Sequence, residues 1–252
     1  MASKRDEKHD PQTLGPTKFS RFEEQVESAM FDGDERITYL EGQLDEAHAN
    51  TAAIISVLNV LSEATNFREA IESVLEAVRH EFGWSYGSYW TLDRERRELR
   101  FAHDSGDVSD AFRNVTMTST FAEGVGLNGR TWRQRDLFFV EDIGELSDCA
   151  RAPVAREMGV KSGVCFPIVV LGEVIGTMDF FVMHALHLSV GRREALRNVG
   201  RLVSAAITRL RATETALETA QNTAAINRIL SVLAETNSRE EALHVTLETV
   251  RR

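Results

Sequence analysis

The chain has 252 residues, of which 42% are hydrophobic, and it carries a formal net charge of −10. This length allows one large domain or two small ones, and the acidic balance excludes general nucleic-acid binding, which needs a basic face. The sequence contains neither a membrane-spanning apolar run nor the apolar segment of a signal peptide, and it has two cysteines. We therefore predict a soluble cytoplasmic protein with reduced thiols, no membrane span and no nucleic-acid partner.

The N-terminal region combines a polar segment with a helical pattern. Residues 1–34 are polar and contain prolines and glycines, so we predict a disordered or partly helical segment. Residues 35–65 carry apolar residues at alternating spacings of three and four, which predicts a coiled-coil signalling helix that joins two copies in a parallel homodimer. The alternative is an amphipathic helix packed on its own domain. With two residues from the last helix, the predicted dimer interface is Ile37, Leu40, Leu44, Ala47, Thr51, Ile54, Leu58, Leu61, Leu210 and Leu217.

A second helix is predicted after Asn66, which can cap it together with Glu69 three residues later. Two strands follow across a charged turn. The segment Gly124–Gly129 matches the spacing GxGxxG, but no good hydrophobic strand precedes it. We therefore predict a glycine-rich entry to a helix there, not a dinucleotide site, and a partly helical stretch over Ser147–Met158.

The most apolar stretch, Val160–Met183, consists of two runs joined by a Leu-Gly-Glu turn. Its β-branched and aromatic residues predict a hairpin with both faces covered. Asp179 lies in the middle of the second run, where a carboxylate must be paired, hydrated or protonated. Strand alternation places one set of residues toward a small internal site and the other toward the terminal helices. The first set is Thr177, Asp179 and Phe181, and the second is Met178, Phe180 and Val182.

After the hairpin, Ser189 can cap a long helix that runs out of the domain. Residues 53–79 align without gaps on residues 225–251, and twelve of these 27 positions are identical. A duplication of this kind predicts a helical connector at 212–235 and the start of a second, truncated domain at 236–252. We therefore expect this chain to be a fragment of a longer modular protein.

The order of these elements, the segment EGVGLNGRTW and above all the run from Gly159 through Phe181 resemble a GAF domain, here at residues 66–211. The resemblance implies an α+β fold: a GAF-like, PAS-related central antiparallel sheet of five or six strands, flanked by helices, with long N- and C-terminal coiled-coil helices. It also implies a ligand pocket between the sheet and residues 124–158. Tandem copies on helical connectors resemble the input halves of bacterial chemoreceptors, sensor histidine kinases and diguanylate cyclases. This implies a downstream output domain outside the chain.

The resemblance implies a small-molecule ligand whose identity stays open. Arg151 and Asp179 are the first candidate ligand-binding residues, because a charge that faces the interior needs an answering group. The remaining candidates are residues that either line the pocket or belong to the core: Trp90, Phe101, His103, Phe121, Cys149, Met158 and Thr177.

The cofactor also stays open, with no cofactor as the first expectation and bilin or haem as alternatives. Cys149 resembles, in its distance from the following strand, the cysteine that holds a linear tetrapyrrole in photoreceptor GAF domains. Those domains usually place a histidine next, whereas Ala150 follows here. His103 resembles the haem ligands of some GAF domains. We predict no metal site, because the other histidines lack ligand partners at convincing spacing.

Two functions remain open at this point. In the first, a small molecule enters the pocket and changes the register of the coiled-coil helices, which relay the signal. In the second, side chains fill the pocket and the domain is a ligand-free dimerisation and relay spacer, which a pocket below about 100 Å³ favours. The sequence has no GxSxG elbow, Walker loop or HExxH motif, so we predict no enzymatic activity.

Overall fold

A computed structural model describes the backbone of residues 33–250 and the side chains of residues 36–231. The segment predicted to be disordered or partly helical therefore lies, except for its last two residues, outside the described part of the chain. Within the described part of the chain, contacts between Cα atoms place a division between two units at His48 and Ala49.

The described residues form six main helices, a short 3₁₀ turn and six strands. The helices are α1 (Gly33–Glu63), α2 (Phe67–Glu81), α3 (Asp110–Thr118), α4 (Gly126–Gln134), α5 (Ala152–Met158) and α6 (Val190–Val250), and the 3₁₀ turn is Ile143–Glu145. The strands are β1 (Tyr86–Asp93), β2 (Glu98–Gly106), β3 (Thr120–Ala122), β4 (Phe138–Val140), β5 (Gly163–Val170) and β6 (Glu173–Phe181). They pair antiparallel in the order β3-β2-β1-β6-β5-β4. This confirms the predicted α+β fold with one central sheet.

Local sequence signals explain where the elements begin and end. The side chain of Asn66 accepts a hydrogen bond from the backbone N–H of Glu69 at 3.0 Å, which caps α2 as predicted. The Glu69 carboxylate accepts from the backbone N–H of Thr65 at 2.8 Å, one residue earlier than in the usual capping box. Ser189 accepts from the N–H of Arg192 at 2.9 Å at the start of α6.

The predicted hairpin is formed by β5 and β6. Its turn contains Leu171 and Gly172, both with positive φ (50° and 82°), so the turn needs at least one residue without a side chain. Almost every residue of both strands is buried. The hairpin therefore lies in the middle of the sheet with both faces covered, as the absence of polar alternation predicts.

Apolar residues on one face of the sheet pack against α2, α6 and the second half of α1. Met178 and Phe180 of β6 belong to this core, as strand alternation predicts. Leu61 of α1 and Leu210 of α6 are also part of it, with 3% and 7% exposure. These two residues were predicted at a dimer interface, but the structure uses them within one chain. Of the other predicted interface residues, Ile54 is half-buried, and the rest are exposed: Ile37, Leu40, Leu44, Ala47, Thr51, Leu58 and Leu217.

The last helix, α6, has 61 residues without a break. This confirms a long C-terminal helix, and its role as a connector at residues 212–235 stays a prediction. In the first copy of the sequence repeat the chain bends between Glu63 and Phe67, whereas in the second copy the helix is continuous to Val250. The start of a second domain at residue 236 stays a prediction. Among the described helices there is no segment whose length and hydropathy would suit a bilayer crossing.

Candidate functional site

A buried arginine lies on the face of the sheet opposite the terminal helices. Arg151 directly precedes α5, whose first turn contains Pro153, and its side chain is completely buried. Its guanidinium is surrounded by four aromatic rings of the sheet and of α3. The distances from the guanidinium carbon to the ring centroids are 5.2 Å for Trp90, 5.9 Å for Phe112, 5.0 Å for Phe121 and 4.8 Å for Phe181.

An ion pair joins this arginine to β6. Arg151 Nη2 lies 2.7 Å from Asp179 Oδ2, and both side chains have 0% exposure. The same Nη2 donates to Asn128 Oδ1 at 2.6 Å, and Asn128 Nδ2 donates to Thr177 Oγ1 at 3.1 Å. The second oxygen of Asp179 accepts from the hydroxyl of Ser88, the residue opposite it on β1. Asp179 is therefore answered by an arginine and a hydroxyl, as a buried carboxylate requires.

Two nitrogen donors of Arg151 have no hydrogen-bond acceptor. Its Nε and Nη1 atoms are buried and make no hydrogen bond to any described residue. The surrounding ring faces attract the cation, but they do not replace a hydrogen-bond acceptor. A buried donor without an acceptor costs about 1–3 kcal/mol. We call the group formed by Arg151, Asp179, Asn128, Ser88 and the four rings the arginine cage.

Charge states in the arginine cage follow from burial and from the ion pair. Burial by itself disfavours the Arg151 cation, but the Asp179 carboxylate outweighs this effect and the pKa of Arg151 is raised. On the neighbouring strand, Cys165 lies opposite Asp179. Burial first, and the Asp179 charge second, raise the pKa of the Cys165 thiol, so this thiol stays protonated. Burial and the charges of Asp104 and Asp179 likewise raise the pKa of Tyr86.

The structure brings most of the predicted ligand residues together. Trp90, Phe121, Arg151, Thr177 and Asp179 are all buried within or against the arginine cage. Three more belong to the same side of the sheet: the Phe101 ring lies 6.0 Å from that of Trp90, and Cys149 and Met158 pack in the same apolar cluster. A role of these residues in ligand binding stays a prediction.

His103 is the exception. Its Nδ1 lies 3.9 Å from Glu72 of α2, on the side of the terminal helices. The reason is a β-bulge: Tyr89 pairs with His103 and the next residue, Trp90, pairs with Phe101, which leaves Ala102 without a partner. A bulge turns the following side chain to the other face, so the simple alternation from Phe101 to His103 fails here.

Sequence reasoning missed three members of the arginine cage: Ser88, Phe112 and Asn128. Ser88 is a hydroxyl residue between the aromatic residues of the buried half of β1, and only the folded sheet places it opposite Asp179. Asn128 lies in the glycine-rich start of α4, which was interpreted only as the entry to a helix, so no binding role was predicted for it. Nothing distinguishes Phe112 from an ordinary core residue.

Both cysteines are free and buried, with 3% exposure for Cys149 and 0% for Cys165. Cys149 lies in an apolar cluster filled by the rings of Trp90, Phe112, Phe121 and other side chains. The residues present do not fit a tetrapyrrole at this position, and His103 lies on the other side of the sheet. Among the described residues there is no group of three potential metal ligands.

The arginine cage is closed to solvent. Four grooves on the surface have volumes from about 140 to about 390 Å³, and none of these four is lined by Arg151 or Asp179. Access to the buried donors of Arg151 therefore requires movement of α3, α4 or α5, which cover this face of the sheet.

Solved structures with the same fold include two bacterial GAF domains. The GAF domain of a phosphoenolpyruvate-protein phosphotransferase from Coxiella burnetii is 15% identical, with a TM-score of 0.57, and the match covers 67% of this chain and 98% of that one. The corresponding domain from Acinetobacter is 11% identical, with a TM-score of 0.53, and the match covers 66% and 97%. None of the curated proteins compared with the chain matches it. At these identities the likeness shows the fold alone.

A third structure of this fold is an enzyme. Free methionine-R-sulfoxide reductase from Neisseria meningitidis, in complex with its substrate, is 17% identical, with a TM-score of 0.56, and the match covers 67% of this chain and 93% of that one. The prediction of no enzymatic activity is therefore wrong, because it took the absence of three sequence motifs as sufficient. The same fold carries catalysis elsewhere, so neither the fold nor those motifs exclude it.

The family itself is shown by a family model. The model described as GAF domain matches residues 64–208, which is more than half of the chain and spans every strand of the sheet. The sequence resemblance and the structure agree with this match. The chain belongs to the GAF domain family, a common type of small-molecule-binding regulatory module.

Proposed function

We propose that the chain is the sensory part of a modular, cytoplasmic bacterial signalling protein, and that its ligand binds in the arginine cage. The observation that carries this proposal is the pair of unanswered donors, Nε and Nη1 of the fully buried Arg151. Buried polar groups in folded proteins are nearly always hydrogen-bonded. Donors without an acceptor at the centre of an aromatic cluster are well suited to a ligand that supplies one.

The charges of the arginine cage define the ligand chemistry. A carboxylate on the ligand would accept from the free donors of Arg151 in the two-pronged geometry that guanidinium favours. An ammonium or hydroxyl group would donate to Asp179, which now interacts with Ser88 and Arg151. The rings of Trp90 and Phe121 offer apolar and cation–π contacts to the rest of the molecule. We therefore propose a small zwitterion, with an anionic and a cationic group a few bonds apart.

Relay to the helices follows from the position of Asp179 in the sheet. Its neighbours in sequence, Met178 and Phe180, point to the opposite face and pack in the core that contains α2 and α6. Opening of the Arg151–Asp179 pair by a ligand would shift β6 and the residues that contact α6. A ligand shifts the equilibrium between a closed and an open arginine cage only if it binds the open form more tightly. The closed form described here is therefore the ligand-free state in this proposal.

A panel of zwitterions tests this proposal. Thermal melting of the wild-type protein is measured with free amino acids and betaines, and we expect at least one to raise the melting temperature. In Asp179→Asn the ligand-induced rise should disappear, because the loss of a hydrogen bond to a charged group weakens binding by about 1.5–3 kcal/mol.

The matched control is Asp142→Asn, which breaks the half-exposed pair with Lys161 on the surface at 2.8 Å. It should keep the full ligand-induced rise. An unchanged rise in Asp179→Asn would remove Asp179 from the ligand site, and a lack of any response in the wild type would contradict the zwitterion proposal.

The spacer is the second candidate function, and the complete burial of the arginine cage favours it. Eight polar or charged residues in the described part of the chain, including Arg151 and Asp179, have 0% exposure. If the pair is purely structural, an apolar double replacement of Arg151 and Asp179 would leave signal output unchanged. If the domain senses a ligand, the same replacement would abolish the response.

Assembly as a parallel homodimer is also part of this proposal. Ile37, Leu40 and Leu44 are 55–56% exposed, although they form a regular apolar seam. Leu217, Leu230 and neighbouring residues of α6 are exposed as well. Seams of this kind are buried in coiled coils by a second helix.

Sedimentation tests the homodimer. Replacement of Leu44 and Leu58 by Asp places charges in the proposed seam, so we expect the dimer to become a monomer. A matched control is Asp45→Lys next to the seam, which alters charge without touching an apolar position and should leave the dimer intact. A monomeric wild type at tens of micromolar would contradict the proposal.

A further inference from the structure

A groove at one end of the sheet combines arginines from two separate elements. Arg94 and Arg97 come from the turn between β1 and β2, and Arg133 and Arg135 come from the end of α4. The groove has a volume of about 380 Å³, and its wall includes the half-buried ring of Trp132. We call it the four-arginine groove. It lies apart from the arginine cage and shares no residue with it.

Most of the positive charge in this groove is not neutralised. Two glutamates, Glu123 and Glu173, also line the groove, and Arg97 lies 3.6 Å from Glu123. Arg94, Arg133 and Arg135 have no acidic group within ion-pair distance among the described residues. A second groove next to it, which shares Arg135, is different. There Arg197 pairs with Asp136 at 3.0 Å and Arg201 pairs with Glu194 at 3.3 Å. The groove therefore carries three guanidinium groups outside any ion pair and is locally positive, although the whole chain has a net charge of −10.

Backbone geometry gives independent support. Three non-glycine residues in the described part of the chain have a positive φ, and two of them are Arg97 (54°) and Arg135 (57°) of this groove. The left-handed conformation is unfavourable for residues with a side chain, and glycine would adopt it more readily. Such strain tends to occur at functional sites. Gly124 lies directly beside this cluster: a Cβ built there would lie 2.6 Å from Arg133 Nη1, so the guanidinium packs against the backbone of the β3–α4 loop.

We propose that the four-arginine groove binds a small polyanion, a molecule that carries two or more phosphate or carboxylate groups. Guanidinium forks bind both groups through paired hydrogen bonds, and the volume of the groove is in the range of small-molecule sites. Trp132 provides a flat apolar wall for the carbon skeleton of such a ligand. This second site lies beyond the sensory function proposed above and does not depend on it.

Isothermal titration at low ionic strength tests the groove, with pyrophosphate as the phosphate probe and citrate as the carboxylate probe. We expect at least one of them to bind with a sub-millimolar Kd that rises with added salt, because screening weakens exposed charges. Tighter binding of pyrophosphate would assign the site to phosphate esters, and tighter binding of citrate would assign it to polycarboxylates. Binding of neither would overturn the proposal.

Three variants locate the binding. Arg133→Gln and Arg135→Gly should each raise the Kd by about tenfold or more, the usual effect of losing a charge-assisted hydrogen bond. Arg135→Gly should do so without lowering the melting temperature, since glycine accepts the left-handed backbone, and this separates loss of binding from loss of folding. Arg228→Gln removes the same charge from the exposed part of α6 and should leave the Kd unchanged. An equal loss in Arg228→Gln would mean a long-range effect of net charge and would overturn the proposal.

Discussion

The two faces of the central sheet are packed by different means. The face toward α2 and α6 is filled by apolar side chains such as Met178, Phe180 and Leu196. The other face surrounds a buried ion pair, Arg151 and Asp179, with aromatic rings. Consecutive residues of one strand, β6, contribute to both. On the apolar face, the sheet and the helices are stabilised by close packing of apolar side chains. In the arginine cage, a buried charge is stabilised by specific hydrogen-bonding and ion-pair partners.

This difference has an energetic consequence. Apolar packing degrades gradually, because each deleted methylene removes a limited amount of buried area. A buried ion pair fails abruptly, because removal of one partner leaves the other charge without compensation. A small chemical change, such as a bound ligand, should therefore alter the stability of the domain most when it occurs in the arginine cage.

The largest effect is expected for Asp179→Ala, which leaves the Arg151 cation buried and unpaired. We expect a loss of about 3–5 kcal/mol in the free energy of unfolding, measured by urea denaturation. The double variant Arg151→Met/Asp179→Leu should recover most of this loss, because no charge remains buried. Additive losses in the double variant would contradict this account of the pair.

The matched change on the apolar face is Ile207→Val, a fully buried residue of α6. It should cost about 0.5–1.5 kcal/mol in the free energy of unfolding. This cost should add to that of Asp179→Ala, because Ile207 packs on the helix face of the sheet and Asp179 lies on the opposite face. Strong non-additivity would mean that the two faces are coupled even without a ligand, and would sharpen the relay proposal.

A smaller effect should separate the two cysteines. Cys165 lies in the hairpin and its thiol has a raised pKa, whereas Cys149 lies near the start of α5, one of the three helices that cover the arginine cage. In the native protein we expect slow labelling of Cys149 by a thiol reagent and slower labelling of Cys165. In denaturant both should label, which mass spectrometry counts. Equal native rates would mean that α5 does not open separately from the sheet, and a single labelled thiol in denaturant would reveal a modified cysteine.

Much of the fold was determined by local sequence. The Asn66 cap, the Ser189 cap, the β5–β6 hairpin and the glycine-rich start of α4 each depend on residues a few positions apart, so they were predicted correctly. The inward direction of Asp179 also followed from sequence, because alternation along an unbroken strand is a local property.

Tertiary structure decided the rest, since it depends on residues far apart in the chain. Arg151 and Asp179 are 28 residues apart in the chain. The sequence indicated that each buried charge needs a partner, but it did not show that the two residues pair with each other. The bulge at Ala102 turned His103 away from the site, and the residue types in β2 do not predict where a bulge will form. The packing of Leu61 and Leu210 within one chain depends on which helices meet. Periodicity determines which face of an element is apolar, but only the assembled fold determines what that face touches.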